Sequence, residues 1–182
     1  MKDALKLAKA VESYGKPVRE EAIIPPTAFA TPKDSNRAGE VAMVLRQDDG
    51  SIWLHTKEFY PEGVYRIPTG KIEDGETLVE ALWRELGEET NLEVDDPKFL
   101  AVIHYTIDGK EIPFVSYVFL FTVTGGTVSP IPEEQITDWV AVPVERLSDV
   151  SWELNSLSED WLGWGWFRSV LHRIVHKLIT SP

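Results

Sequence analysis

One stretch of this sequence limits the possible fold more than any other: a glycine loop followed by an amphipathic helix rich in carboxylates. Leu78, Leu82 and Leu86 recur every four residues and predict one apolar helical face. Thr77 followed by Glu80 has the form of a capping box, which marks where such a helix begins. The chain must therefore bury one face of this helix against a core.

Three glutamates lie on the opposite face of the predicted helix. Because a helix advances about 100° per residue, Glu85, Glu88 and Glu89 share one face, and we expect them to point away from the core. Like charges four residues apart cost about 0.2–0.5 kcal/mol per pair, so this patch needs compensating cations. Mg²⁺ or Mn²⁺ would supply them, since both prefer oxygen ligands. The alternative is a solvated acidic helix in which Arg84 pairs with Glu80 and Glu88.

The spacing of these residues resembles the Nudix box of the Nudix hydrolases. That motif is a glycine, five residues, a glutamate, seven residues, and then Arg-Glu-aliphatic-any-Glu-Glu-any-Gly-aliphatic. Eight of its nine constrained positions are matched here, by Gly70, Glu76, Arg84, Glu85, Leu86, Glu88, Glu89 and Leu92. The ninth position holds Asn91 instead of glycine, and Thr69 stands where related sequences often carry another glycine. Asn tolerates positive φ better than any residue except glycine, so we expect Asn91 to leave the helix in the left-handed conformation.

The resemblance implies an α+β domain of the Nudix type, an α/β/α sandwich around a mixed sheet. It covers roughly residues 40–147. We therefore divide the chain into an N-terminal helix and extended arm (1–38), a Nudix catalytic domain (39–149) and a Trp-rich helical tail packed on that domain (150–182).

Local signals along the chain agree with this division. Residues 1–14 have a helical pattern, and the proline-rich stretch that follows, to Arg37, predicts an arm with little regular structure. Two hairpins are predicted, from runs 41–45 and 52–56 and from runs 102–107 and 114–123. One further strand is expected at 139–142, and a last helix, packed on the core, at 158–179.

The resemblance also implies roles for the box residues. Glu85, Glu88 and Glu89 would hold Mg²⁺ or Mn²⁺ together with the backbone carbonyl of Gly70, while Arg84 would orient a carboxylate of the cluster. Glu76 would support the loop. The general base stays open, because in this family it is either a box glutamate or a glutamate on a later loop. Glu133 and Glu134 are the loop candidates here, and either of them is equally compatible with an ordinary surface charge.

The implied reaction is hydrolysis of a phosphoanhydride in a nucleoside diphosphate linked to another group, such as a nucleotide sugar or a nucleoside triphosphate. The chain would bind this small-molecule nucleotide partly by stacking its base on aromatic side chains, and Phe59, Tyr60, Tyr65 and Tyr105 are the candidates. Each of these is equally suited to packing within a strand. The alternative function is a Nudix-fold nucleotide sensor without turnover.

Two groups of residues in the tail could have a role besides packing on the core. Trp161, Trp164 and Trp166 would form either a homodimer contact or a cover over the substrate base. His172 and His176 lie four residues apart and could share a metal ion, although no third ligand is evident nearby.

The composition limits which binding partners and which cellular compartment we expect for this protein. A formal net charge of −12 argues against nucleic acid or an anionic membrane as a partner, since either requires clustered Lys and Arg. The sequence contains no Cys, which fits a reducing cytoplasm and rules out thiolate chemistry. No apolar run approaches the length of a membrane span. We therefore expect a cytoplasmic protein.

Overall fold

The computed structural model describes residues 2–26 and 39–181. Its helices are α1 (Lys2–Tyr14), α2 (Leu78–Glu89), α3 (Arg146–Asn155) and α4 (Glu159–Thr180). Its strands are β1 (Val18–Ile23), β2 (Gly39–Arg46), β3 (Ile52–Lys57), β4 (Thr69–Lys71), β5 (Glu93–Ile107), β6 (Lys110–Gly125) and β7 (Ile136–Val142). A short 3-10 helix, Pro132–Glu134, precedes β7.

The seven strands form one mixed sheet. Their order is β1-β5-β6-β2-β3-β7, and β4 pairs with β2 outside this path. The pairs β1/β5 and β2/β6 are parallel, whereas the other pairs are antiparallel. Apolar residues of α1 and α2 pack on one face of the sheet and those of α3 and α4 on the other. The predicted α/β/α sandwich with a mixed sheet is confirmed.

Both predicted hairpins are present, but they differ in how far their strands pair. The β5–β6 hairpin turns at Asp108 and Gly109, whose φ angles of 50° and 74° suit a tight turn between twisted strands. In contrast, β2 and β3 pair only at Arg46 and Ile52. They diverge because β2 continues between β6 and β4, while β3 pairs with β7.

Three of the named elements are absent from the sequence-based prediction: β1, α3, and β4, which lies in the stretch that we interpreted as the glycine loop. The N-terminal arm contains β1, which runs parallel to β5 and is anchored by the buried Ala22; the rest of the predicted arm, residues 27–38, lies outside the described residues. Helix α3 was also missed. It buries Leu147, Val150 and Leu154, whose spacing of three and four residues is the helical signal that could have revealed it.

The core consists of two layers separated by the sheet. In β2, Val41 and Met43 pack toward α2, while Ala42 and Val44 pack toward α4, because successive side chains of a strand point to opposite faces. The predicted last helix is confirmed as a core helix. Its buried residues include Phe167, Leu171, Ile174 and Val175. In the described part of the chain, no helix is long and apolar enough to cross a membrane.

Candidate active site

The two ends of α2 fix the direction in which its glutamates point. At the start, Thr77 Oγ1 accepts a hydrogen bond from the Glu80 N–H at 3.2 Å, and Glu80 Oε2 accepts from the Thr77 N–H at 2.8 Å. This is the predicted capping box. At the end, the Thr90 N–H donates to the Leu86 carbonyl at 3.1 Å, and Asn91 has a φ of 54°. The predicted left-handed exit at Asn91 is confirmed.

Glu85 lies directly against the glycine loop. Strand β4 pairs with β2, which places Gly70 beneath α2. A Cβ atom at position 70 would lie 1.9 Å from Cδ of Glu85, so only glycine leaves room for this carboxylate. The residue Glu85 is 6% exposed, and its burial raises the pKa of its carboxyl group although Arg84 opposes the shift.

Arg84 organises the carboxylates on the loop side of the cluster. Its guanidinium donates in bidentate fashion to Glu76, at 2.8 and 2.9 Å. The Nη1 atom also donates to Glu85 and to Glu88, each at 2.8 Å. A further bond to the Lys71 carbonyl ties the loop to the helix. The Glu76 contact and these other carboxylates raise the pKa of Arg84, which therefore stays charged.

The acidic face of α2 is not the solvated acidic helix that the sequence left as the alternative. Glu89 is fully buried and Glu85 nearly so, while Glu88 is half-buried. Burial raises the pKa of Glu89 to about 7, although Lys57 opposes the shift. That alternative is wrong because β3 and the loop after β6 cover this end of the helix, and the helical pattern alone does not show this contact.

Glu134, and not Glu133, joins the box glutamates. The loop that carries it is tied to the end of α2, since the Ile131 N–H donates to the Glu88 carbonyl at 2.8 Å. Carboxylate oxygens of Glu85, Glu88 and Glu134 all lie within 4.8 Å of one another. The side chain of Glu133 is exposed, and this residue is not in the group of three.

Lys57 is a site residue that sequence reasoning missed. Its Nζ atom lies 2.9 Å from Glu89 Oε1 and 2.7 Å from Glu134 Oε2. No motif includes this lysine, which is the last residue of β3 and lies before the box begins at Gly70. A single lysine at a strand end carries no signal that could have identified it.

The donor set fits a divalent cation. Three carboxylates converge on one point, and hard oxygen ligands of this kind are those that Mg²⁺ and Mn²⁺ prefer. The space that Gly70 leaves beside Glu85 lets the loop backbone approach the same carboxylate. The residues present are therefore suited to the metal that the box implies.

Comparison with known proteins identifies the family. A family model described as NUDIX domain matches residues 36–164. The chain belongs to the Nudix family. The match includes β2 through α3 and reaches the first residues of α4, so it extends past residue 149, where we had placed the end of the catalytic domain.

Curated relatives and solved structures agree with this assignment. The human 8-oxo-dGDP phosphatase NUDT18 is 31% identical over 93 residues, which are 51% of this chain and 27% of that protein. The NAD-capped RNA hydrolase NudC of Photorhabdus laumondii is 32% identical over 99 residues, 52% of this chain and 35% of that protein. The chain thus matches only about a third or less of the length of these relatives. The E. coli dihydroneopterin triphosphate pyrophosphohydrolase has a TM-score of 0.53 at 13% identity, with 80% of this chain and 97% of that one covered, and supports the fold alone.

Tyr60 is the aromatic candidate that lies near the acidic cluster of the Nudix domain. Its backbone N–H donates to the Lys57 carbonyl at 2.9 Å, so a single turn separates it from Lys57, whose Nζ atom contacts Glu89 and Glu134. Its ring is half-buried and lies 5.0 Å from the ring of Trp164 and 6.5 Å from that of Trp161. Phe59 beside it is 54% exposed.

The sequence left base stacking and strand packing open for Tyr105 and Tyr65, and the structure places Tyr105 in the core. Tyr105 is 1% exposed, and its hydroxyl donates to Ser116 at 2.9 Å within the core, so it cannot stack on a substrate base. It faces inward because β5 is covered by α4. Tyr65 lines a separate cavity of about 210 Å³ beside α3 and donates to Asp138.

The alternative of a metal ion shared by His172 and His176 is excluded. His172 is fully buried, and its Nε2 atom accepts a hydrogen bond from the Ile67 N–H at 3.0 Å. Its Nδ1 atom donates to the Arg168 carbonyl at 2.9 Å, so both ring nitrogens are engaged. Burial lowers the pKa of His172 to about 4. His172 is a neutral core residue and has no lone pair available for a metal shared with His176.

Thr69, the second departure from the family pattern, is held by two arginines. Arg66 Nη1 donates to Thr69 Oγ1 at 2.9 Å, and Arg168 Nη1 of α4 does so at 3.2 Å. Arg168 also binds the buried carboxylate of Glu40 at 2.8 Å. Arg66 in turn donates to the Tyr60 hydroxyl at 2.7 Å. This network joins the C-terminal helix to the loop immediately before Gly70.

Proposed function

We propose that this chain is a divalent-metal-dependent hydrolase that cleaves a phosphoanhydride bond. The substrate is a nucleoside diphosphate linked to another group, such as a nucleotide sugar or a nucleoside triphosphate, and the cofactor is Mg²⁺ or Mn²⁺. The observation that carries the proposal is the convergence of Glu85, Glu88 and Glu134, within 4.8 Å of one another, beside Gly70 and Arg84. A cytoplasmic location and a homodimer remain predictions from the sequence.

The residues of the cluster have two roles: some would bind the cation, and others orient the carboxylates that would bind it. Glu85, Glu88 and Glu89 would hold the cation together with the Gly70 carbonyl, and Arg84 keeps Glu85 and Glu88 in place through two 2.8 Å hydrogen bonds. When bound, a divalent ion neutralises charge on the phosphate oxygens and acidifies water. Glu76 supports this arrangement, because its bidentate pair with Arg84 fixes the guanidinium plane.

Glu134 is the strongest candidate for the general base. Its carboxylate belongs to the cluster but is supplied by a loop rather than by α2, so it can approach water from a different direction. The water oxygen forms the new bond to phosphorus as the bridging phosphorus–oxygen bond breaks. Glu134 takes the proton, and the leaving phosphate or nucleotide departs with the bonding electrons. If Glu134 is not the base, one of the box glutamates, Glu85 or Glu88, would serve.

The aromatic cluster supports a nucleotide as the substrate. Tyr60 is one turn from Lys57 and packs against Trp161 and Trp164, so a base stacked on it would leave the phosphates near the carboxylates. The names of the two curated relatives, an 8-oxo-dGDP phosphatase and an NAD-capped RNA hydrolase, both denote nucleotide derivatives. These similarities support the class of substrate and leave its base and second group open.

A substrate panel tests the proposal. Nucleotide sugars, dinucleoside polyphosphates and nucleoside triphosphates are incubated with Mg²⁺ and with Mn²⁺, and products are separated by chromatography. We expect cleavage at a phosphoanhydride, and a fall of orders of magnitude in Glu88→Gln. Glu134→Gln should lower kcat with little change in metal affinity, whereas Glu133→Gln, its exposed neighbour, is the matched control. No turnover across the panel, combined with tight Mg²⁺-dependent binding of one nucleotide, would instead support the sensor function.

A further inference from the structure

Arg66 is a buried arginine whose side-chain contacts include no carboxylate. The residue is 4% exposed. Its Nε atom donates to the Tyr60 hydroxyl at 2.7 Å, and its Nη1 atom donates to the Ile67 carbonyl at 2.8 Å and to Thr69 Oγ1 at 2.9 Å. Within residues 2–26 and 39–181, these are the hydrogen bonds of its guanidinium. Because a guanidinium stays charged and is rarely buried without a partner, Arg66 leaves a positive charge for an anion to balance.

These hydrogen bonds leave one nitrogen of Arg66 available. A guanidinium has five N–H donors, one on Nε and two on each terminal nitrogen. The three contacts use the donors of Nε and Nη1, so both remaining donors are on Nη2. Among the described residues Nη2 has no acceptor, and it is not one of the buried atoms that lack a partner, so it is accessible to solvent. The contacts therefore fix the guanidinium plane and leave two donors for a ligand.

Arg66 lies beside the loop that carries the candidate metal site. Thr69, whose hydroxyl it holds, directly precedes Gly70. The glycine that related sequences often carry in place of Thr69 would offer no such hydroxyl. Arg168 of α4 donates to the same hydroxyl at 3.2 Å, but its charge is paired with Glu40. Arg66 is thus the arginine of this pair whose charge is left for a ligand.

The surroundings of Arg66 are positively charged. The backbones of His55 and Arg66 exchange hydrogen bonds at 2.9 and 3.0 Å, and neither ring nitrogen of the fully buried His55 has a partner in the described part of the chain. Burial lowers the pKa of His55 well below its usual value, and the charges of Arg66, Lys57 and Arg168 act in the same direction. Three cations therefore surround one neutral imidazole in a chain whose net charge is −12. Such a local concentration of positive charge attracts anions.

We propose that Arg66 is a phosphate-binding residue, whose two available donors bind an oxygen of the substrate phosphate next to the one that the cation would hold. Charge-assisted hydrogen bonds from arginine to phosphate are about twice as strong as neutral ones. A site that binds two adjacent phosphates favours diphosphates and longer chains over phosphate monoesters. This inference rests on the proposed function, since the second phosphate is that of a phosphoanhydride.

Calorimetry of inorganic pyrophosphate with the intact chain and Mg²⁺ tests the inference. Arg66→Gln should bind pyrophosphate roughly 10- to 100-fold more weakly, as expected for lost hydrogen bonds to a charged group. Its affinity for Mn²⁺ alone should stay at the parental value or rise, because a neighbouring positive charge is removed. Arg66→Lys keeps the charge without the fixed fork and should retain part of the affinity. Arg146→Gln, which removes an exposed arginine paired with Glu153, is the matched control and should bind pyrophosphate like the parent.

A second pair of variants keeps the buried arginine in case its replacement impairs folding. Thr69→Val removes the hydroxyl that accepts from Arg66 and should weaken pyrophosphate binding several-fold, whereas Thr69→Ser should bind like the parent.

Three results would overturn the inference and leave the proposed function intact. They are parental pyrophosphate affinity in folded Arg66→Gln, or in Thr69→Val if Arg66→Gln does not fold; an equal loss of Mn²⁺ affinity in Arg66→Gln, which would make the role of Arg66 structural; and a parent chain that binds Mn²⁺ but not pyrophosphate. Pyrophosphate binding that depends on Arg66, in a chain that cleaves no member of the substrate panel, would support the inference and overturn the hydrolase.

Discussion

The carboxyl group of Glu85 occupies the space into which a side chain at position 70 would project. The calculated separation between a Cβ at Gly70 and Cδ of Glu85 is 1.9 Å, far inside van der Waals contact. The glycine at the head of the box is thus required by a neighbour on α2, since Gly70 is not among the glycines with positive φ. This contact and the hydrogen bond from Arg84 to the Lys71 carbonyl hold the loop against the helix.

Gly70→Ala should displace Glu85 and weaken metal binding. We expect a loss of about 1–3 kcal/mol of stability, the usual result of adding a methyl group to a filled site, together with lower Mn²⁺ affinity. Calorimetry and urea unfolding measure the two effects. Gly87→Ala is the matched control, because a Cβ at that helical position meets nothing within 4 Å and should be neutral or stabilising. Parental metal affinity in Gly70→Ala would show that Glu85 can move without consequence.

Asn91 replaces the family glycine at a φ of 54°, a left-handed conformation that Asn adopts more readily than other residues with a side chain. Asn91→Gly should be neutral or mildly stabilising, while Asn91→Val should cost about 1–2 kcal/mol, the penalty for a β-branched residue in the left-handed region. Urea unfolding of the two variants is the measurement. A valine variant as stable as the parent would mean that the chain leaves α2 by another path.

Millimolar Mg²⁺ should raise the melting temperature of the parent, because a ligand that binds only the folded state stabilises it by mass action. Glu88→Gln should reduce this shift strongly, since it removes one of the three converging carboxylates. Glu133→Gln, with an exposed side chain outside that group, should retain the parental shift. Equal shifts in the parent and in Glu88→Gln would place the ion elsewhere.

The stability of the protein should depend on pH through His172. Its pKa of about 4 in the folded state lies below the ordinary value of 6.5, so between these values the unfolded chain binds one more proton. Stability therefore rises with pH across this window and levels off above it. His172→Gln should lower the slope of the unfolding free energy by about 1.4 kcal/mol per pH unit there. The two curves should run parallel above pH 7, and parallel curves throughout would contradict a buried neutral histidine.

Tyr60 should affect substrate binding more than turnover. Because stacking contributes about 1–3 kcal/mol per base, Tyr60→Ala should raise KM by roughly one to two orders of magnitude, with a smaller effect on kcat. Tyr60→Phe should retain most of the affinity, since the ring remains. Tyr65→Ala alters a residue that lines the separate cavity beside α3 and serves as the control. An unchanged KM in Tyr60→Ala would exclude stacking on this ring.

The parts of the site that were predictable are those encoded within one short segment. The positions of Gly70, Glu85 and Glu88 follow from the box, and the exit at Asn91 follows from the conformational preference of its residue type. In contrast, nothing in the sequence distinguished Glu134 from Glu133. That choice depends on a backbone bond from the loop to the end of α2, which turns one glutamate inward and leaves the other exposed.

By itself, the sequence determined the α2 helix with its caps, the glutamate array, the β5–β6 hairpin and the apolar face of α4. Each of these depends on interactions between residues that are close in the chain, so the spacing of those residues in the sequence predicts it. Only the tertiary structure decided that Glu89 is buried on Lys57, that Tyr105 and His172 are core residues, and that β1 joins the sheet. These outcomes depend on which distant segments meet, because burial and ion pairing are properties of the packed neighbours and not of the residue type.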